Sequence, residues 1–129
     1  MMAKILKFFA NVVRCYVEDD VITVGFGDDD YAPKAYTIIT RFDDEEENYS
    51  EGEGPIGIQT NLSEIESSSA IASIELKDNF IKIKINERKR TYVGVDEIII
   101  EFEPSKENVD SINKYFHMIF DGSETQIDI

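Results

Sequence analysis

The sequence predicts an α+β fold, in which an antiparallel β-meander of about six or seven strands packs against one C-terminal α-helix. Three observations predict this fold. Two β-hairpins can be placed with apolar residues opposite each other, further segments have strand character, and one amphipathic helix lies near the C-terminus. With 129 residues, 42% of them hydrophobic, the chain is long enough to bury a core, and we expect residues 1–129 to form a single domain.

A two-residue turn at Asp19-Asp20 defines the first hairpin. It places three apolar pairs on one face, namely Val17 with Ile22, Cys15 with Val24, and Val13 with Phe26. A half-buried antiparallel ribbon requires such a face. Asp-Asp is a less favoured turn than Asn-Gly, so a longer loop is the alternative.

The second hairpin turns at Asp78-Asn79 and pairs apolar residues in the same way, Ile74 with Ile83 and Leu76 with Ile81. On its outer face Glu75 stands opposite Lys82, which predicts an ion pair. A further strand is predicted over 96–103, with Ile98, Ile100 and Phe102 facing inward. Weaker strand patterns cover 35–42 and 56–60.

One helix is predicted after Pro104, with Ser105 as its N-cap and Gly122 at its end. Its apolar positions follow a 3.6-residue spacing and are Val109, Ile112, Phe116, Ile119 and Phe120. Residues 121–129 are predicted to be a flexible tail. Residues 43–55 are predicted to form a solvated loop, and residues 62–70 a loop or a short helix.

The charge of the chain is concentrated in one stretch. Residues 18–66 contain 15 acidic residues and only two basic ones, Lys34 and Arg41, a net charge of −13 out of −14. The remaining residues hold 12 acidic and 11 basic side chains. Such a stretch attracts cations and basic proteins. It repels phosphate groups, so we expect no binding to nucleic acid or to anionic membranes.

The N-terminal region and the single cysteine suggest a compartment. Residues 1–17 begin like a signal peptide, but Asn11 and Arg14 interrupt the apolar run. No segment approaches the roughly 18–20 apolar residues of a membrane span. Cys15 is the only cysteine, so it has no partner for an internal disulfide. We therefore expect a cytoplasmic protein.

The sequence contains few groups suited to catalysis or metal binding. Cys15 lies on the apolar face of the first hairpin, and His117 is the only histidine. The carboxylates crowd into polar runs, where their pKa values stay ordinary. EF-hand loops starting at Asp28 or Asp43 fail, because Pro33 and Asn48 occupy the glycine position. We therefore expect a protein that is not an enzyme and that binds no cofactor or metal. Two alternatives remain open, a non-EF calcium site at residues 28–30 and a hydrolase that uses carboxylates.

The acidic stretch is interrupted by tyrosines, which are common anchors in protein interfaces. This combination predicts a surface that steers a basic partner. Its predicted members are Asp28, Asp29, Asp30, Tyr31, Asp43, Asp44, Glu45, Glu46, Glu47 and Tyr49. The alternative is a solvated surface that serves solubility alone.

The predicted elements follow one another in a definite order. An early hairpin and an acidic middle precede the small-residue stretch Ser67-Ser68-Ser69-Ala70. The second hairpin, the loop Val93-Gly94-Val95-Asp96, the 98–102 strand and the helix complete the order. Over about residues 12–121, this order resembles that of the bacterial immunity protein 10 family of polymorphic toxin systems. The resemblance implies a non-enzymatic protein that binds and neutralises a cognate toxin, and a basic nuclease would suit the acidic face. The alternative is an acidic adaptor or structural protein without a toxin partner.

Overall fold

The computed structural model describes residues 4–42 and 54–129, which form two five-stranded sheets and one long helix. The strands are β1 Ile5–Ala10, β2 Val12–Glu18, β3 Val21–Gly27, β4 Tyr36–Phe42, β5 Ile56–Thr60, β6 Ser67–Ser68, β7 Ile71–Leu76, β8 Phe80–Ile85, β9 Glu97–Phe102 and β10 Gln126–Asp128. The helical elements are a 3-10 turn Glu87–Lys89, α1 Arg90–Val93 and α2 Lys106–Phe120. We call the sheet of β1 and β7–β10 sheet A, and the sheet of β2–β6 sheet B.

Sheet B is an antiparallel meander with the strand order β2-β3-β4-β5-β6. The predicted first hairpin is confirmed, since Val17 faces Ile22 and Cys15 faces Val24. Asp19 and Asp20 form its two-residue turn, with φ angles of 51° and 64°. Both angles are positive, as a type I′ turn requires.

Sheet A has the order β1-β9-β8-β7-β10 and is mixed, because the two outer pairs, β1 with β9 and β10 with β7, run parallel. The second hairpin is confirmed with its predicted register. Glu75 lies opposite Lys82 as predicted. The ion pair differs, however, because Lys82 Nζ lies 3.2 Å from a carboxylate oxygen of Glu97, on the other neighbouring strand.

The predicted single meander of six or seven strands is therefore wrong in two respects. The described residues form ten strands divided between two sheets, and they include the short helix α1 beside α2. Strands β1, β6 and β10 were not predicted. The tail, expected to be loose, contains β10, which pairs with β7 along Gln126–Asp128.

Both sheets and α2 contribute to one cluster of 23 buried hydrophobic residues. Helix α2 begins as predicted, since Ser105 Oγ accepts a hydrogen bond of 3.0 Å from Asn108 N. Its apolar side packs on sheet B, where the rings of Phe26 and Phe116 lie 6.4 Å apart. Gly122, with a φ of 71°, follows its end.

Asn11 alone separates β1 from β2, so the chain passes from an edge of sheet A directly to an edge of sheet B. The acidic stretch 18–66 contains β3, β4 and β5 and belongs to the sheet B part of the chain. The strands of sheet A come from the nearly neutral remainder. Among the described residues, the stretch 18–66 holds eight acidic and two basic side chains, whereas the remainder holds 12 and 11, so the part of the chain that forms most of sheet B is the more acidic.

Candidate partner-binding surface

The loop between β3 and β4 holds the first part of the predicted surface in a defined conformation. Asp28 Oδ1 accepts a hydrogen bond of 2.9 Å from Lys34 N, and Asp29 Oδ2 accepts one of 2.9 Å from Ala32 N. Asn11 Nδ2 donates a bond of 2.8 Å to Asp28 O, which fixes the loop to the corner between β1 and β2. Two of the three carboxylates therefore organise the loop and keep further lone pairs for a partner.

The next two residues of the loop face outward. The carboxylate of Asp30 forms an ion pair with the guanidinium group of Arg14 on β2. Tyr31 follows with 93% of its surface exposed. Tyrosine is enriched in protein interfaces, so this exposed ring is a candidate contact residue.

These carboxylates line an open groove of about 780 Å³, which we call the acidic groove. Glu103, directly after β9, adds a fourth carboxylate to its lining, beside Asp28, Asp29 and Asp30. Arg14 is the only cationic residue among the described ones that line it, and it is already paired with Asp30. The groove is therefore suited to a positively charged group.

Glu103 is a part of this groove that sequence reasoning missed as a site residue. It was predicted only as an outward-facing residue of the strand over 96–103. It comes from sheet A, 73 positions after Asp30. No sequence pattern around Glu103 predicts its place in the groove, because its proximity to the loop depends on how the two sheets meet at Asn11.

The second part of the predicted surface lies outside the described residues: Asp43, Asp44, Glu45, Glu46, Glu47 and Tyr49. Their point of attachment is nevertheless defined. Phe42 ends β4 opposite Val21, whereas Tyr36 begins β4 opposite Gly27, beside the loop of Asp28. A seven-residue strand spans about 20 Å. Phe42, the last described residue before the second part, and the loop of Asp28 therefore lie at opposite ends of β4.

Three further acidic residues stand at the Phe42 end. They are the last residue of β2 and the two turn residues, and all three are exposed: Glu18, Asp19 and Asp20. The structure therefore places acidic groups at both ends of sheet B rather than in one patch.

The carboxylates of residues 28–30 point to different partners, two backbone amides and one arginine. Within residues 4–42 and 54–129, no three His, Cys, Asp or Glu side chains are grouped as a metal site. The calcium alternative therefore gains no support from this loop.

Cys15 lies on the inner face of β2, opposite Val24. Burial raises the pKa of its thiol to about 11. The thiol is protonated at neutral pH, and only the thiolate is a good nucleophile. Its environment is that of a packed side chain.

No family model matches the chain, and no curated protein matches its sequence. In the described residues, none of the helices has both the length and the apolar character that crossing a bilayer requires.

Proposed function

We propose that the chain is an immunity-type protein, which binds and neutralises a cognate bacterial toxin domain through the acidic surface of sheet B. The partner is a toxin with a basic surface, such as a nuclease. The resemblance to the immunity protein 10 family is the reason for proposing a toxin as the partner. The charge distribution is the reason for proposing electrostatic binding. The protein acts in the cytoplasm and performs no catalysis.

One observation supports the proposed binding mode. A net charge of −13 falls within residues 18–66, and the structure arranges acidic side chains of that stretch at both ends of one sheet. If solubility alone were served, the acids could be spread over both sheets. The concentration of acidic residues in one stretch of the chain therefore supports an electrostatic binding mode rather than solubility alone.

The expected effect of such a field is kinetic. Clustered charges raise the association rate of an oppositely charged protein by ~10 to ~10³. The Debye length is about 8 Å at physiological salt, so the association rate falls as salt is added. Affinity needs buried anchors in addition, because exposed ion pairs add little. Tyr31 is placed to supply one.

The experiment is a titration of the purified chain against the product of the neighbouring gene, followed by stopped-flow association at low and high salt. The test variant combines Asp28→Asn, Asp29→Asn and Asp30→Asn. Asparagine keeps an oxygen that accepts the bonds from Lys34 N and Ala32 N, so the loop conformation is retained. We expect the association rate at low salt to fall about tenfold or more.

A matched control removes the same number of charges from exposed positions outside the acidic stretch. It combines Asp78→Asn, Glu87→Gln and Glu124→Gln. We expect its association rate to stay within about twofold of the wild type. An equal fall of the association rate in the two triple variants would show that the rate depends on the net charge of the chain and not on the position of the charges. The absence of any complex at low salt would remove the toxin proposal and favour the adaptor.

A further inference from the structure

Strand β1 is an edge of sheet A with unusually little protection. Within the described strands it pairs only with β9, and its register runs unbroken from Ile5 to Ala10. Ile5 is 50% exposed and Phe9 is 44% exposed. The strand contains neither proline nor a bulge, and its one charge, on Lys7, is paired with Glu101 at 3.2 Å. Edge strands usually carry such devices because bare edges pair with other chains.

The direction of the free backbone groups of β1 follows from its bonds to β9. Lys4 O accepts hydrogen bonds from Asp96 N and Glu97 N, so Lys4 directs its carbonyl group toward β9. Successive residues of a strand direct their backbone groups to opposite sides. The residues whose N–H and C=O groups point away from β9 are therefore Ile5, Lys7 and Phe9.

We infer that β1 pairs antiparallel with β1 of a second copy, about a twofold axis at Lys7. The outward backbone groups of Ile5 then meet those of Phe9 of the second copy, and those of Lys7 meet Lys7. All three outward residues form ladder bonds in this register, and the two sheets A become one continuous sheet. Ile5 and Phe9 also cover each other's exposed side chains across the axis.

The charge distribution favours a second copy at this edge. Sheet A belongs to the nearly neutral part of the chain, with 12 acidic and 11 basic residues. The acidic groove reaches β1 at Phe9, but its carboxylates lie beyond the end of the strand, where Asn11 bonds to Asp28 and Glu103 follows Phe102, the partner of Ala10. Asn11 is four residues from Lys7, or about 13 Å along the strand. The carboxylates of the two copies are then about 26 Å apart across the axis, more than three Debye lengths at physiological salt. Their repulsion is largely screened.

The inference is tested on the full chain alone, by sedimentation equilibrium between about 1 µM and about 1 mM. We expect the average mass to rise from 14.7 kDa toward twice that value. Added salt strengthens the dimer, because each copy carries a net charge of −14. Salt weakens the proposed toxin complex, so the two associations are distinguished by the sign of the salt effect. A chain that stays monomeric over this range overturns the inference.

The matched variants are Lys7→Pro and Lys7→Ala. Proline removes an N–H that points away from β9, and it is tolerated on strand edges in that position. We expect Lys7→Pro to be monomeric at every concentration with an unchanged far-UV circular dichroism spectrum. Lys7→Ala keeps the N–H. It removes the two facing lysines but also leaves Glu101 of each copy without its ion-pair partner, so we expect the dimer to be retained.

Ile5→Glu is the second test, used if Lys7→Pro loses its folded spectrum. It places a carboxylate in the pairing edge and leaves the β1 backbone intact, so we expect a monomer. Neither Lys7 nor Ile5 lines the acidic groove, whereas Phe9 lines it and is left unchanged. Pairing through β1 is contradicted if a folded Lys7→Pro or Ile5→Glu variant dimerises as strongly as the wild type. It is also contradicted if Lys7→Ala loses the dimer to the same extent as Lys7→Pro.

Discussion

The guanidinium group of Arg41 donates a hydrogen bond of 2.7 Å to the carbonyl oxygen of Ile119. It donates a second bond of 2.7 Å to the carbonyl oxygen of Asp121, the residue that follows α2. Arg41 lies on β4, so a strand of sheet B holds the C-terminal end of the helix. The cation also faces the negative end of the helix dipole.

Replacement of Arg41 with Met should therefore lower the free energy of unfolding by about 2 kcal/mol, since two carbonyl groups lose a charged donor. Urea denaturation measures the change. Lys34→Met is the control, because Lys34 is the other basic residue of the acidic stretch and is exposed. We expect its effect to lie within about 0.5 kcal/mol of zero. Similar effects in both variants would mean that charge, rather than the helix contact, is responsible.

Thr37 and Thr60 face each other on β4 and β5, and both are fully buried. Thr37 Oγ1 has no hydrogen-bond partner in the described structure. A buried unsatisfied hydroxyl costs free energy, and valine has nearly the same shape. We expect Thr37→Val to stabilise the protein by about 1 kcal/mol in thermal or urea unfolding.

The same change at Thr60 should have the opposite sign. Thr60 Oγ1 accepts from Leu62 N at 3.2 Å and donates to Val93 O at 3.4 Å. Thr60→Val leaves both groups without this partner, and we expect a loss of about 1 kcal/mol. Stabilisation by both substitutions would show that the hydroxyl contacts of Thr60 contribute nothing.

Asp20, with a φ of 64°, occupies a left-handed position in the β2–β3 turn. Glycine adopts this conformation without steric cost, so Asp20→Gly should raise the free energy of unfolding by about 0.5–1 kcal/mol. Asp78→Gly is the matched control in the other hairpin, because Asp78 is not among the residues with positive φ. At that position glycine relieves no strain and only increases the conformational entropy of the unfolded chain, so we expect Asp78→Gly to lower the free energy of unfolding.

The Cys15 thiol should make stability depend on alkaline pH. Burial raises its pKa from 9.0 to about 11, so the folded state holds the proton more tightly than the unfolded state. The contribution of the protonated thiol to the free energy of unfolding is fully present below pH 9 and is lost as the pH rises toward about 11. Urea denaturation of the wild type and of Cys15→Ala across this range isolates the effect. Parallel pH profiles for the two proteins would contradict it.

Local patterns sufficed to predict both hairpins with their registers and the limits of α2. The apolar pairs around Asp19-Asp20 and Asp78-Asn79, and the spacing from Val109 to Phe120, involve neighbours in sequence. β1 was missed because its exposed positions are also apolar. With Ile5 and Phe9 facing solvent, the strand shows no alternation of polar and apolar residues.

The candidate site was predictable to a similar extent. The acidic composition identified Asp28, Asp29 and Asp30, which do lie together in one loop. It could not separate them from the acids after Phe42, because the pattern of β4 predicts a strand but not which other elements lie beside each of its ends. Glu103 was missed as part of the groove for another reason. Its place there depends on the contact between two sheets, which periodicity does not encode.

The parallel pairing of β1 with β9 has a consequence for synthesis of the chain. Lys4 and Asp96, which meet at the start of this pair, are 92 positions apart. β1 therefore leaves the ribosome long before its partner exists, while the neighbouring β2 can already form a hairpin with β3. During that interval the apolar residues of β1 remain available to chaperones. Sheet B can form early in translation, and sheet A is completed only near its end.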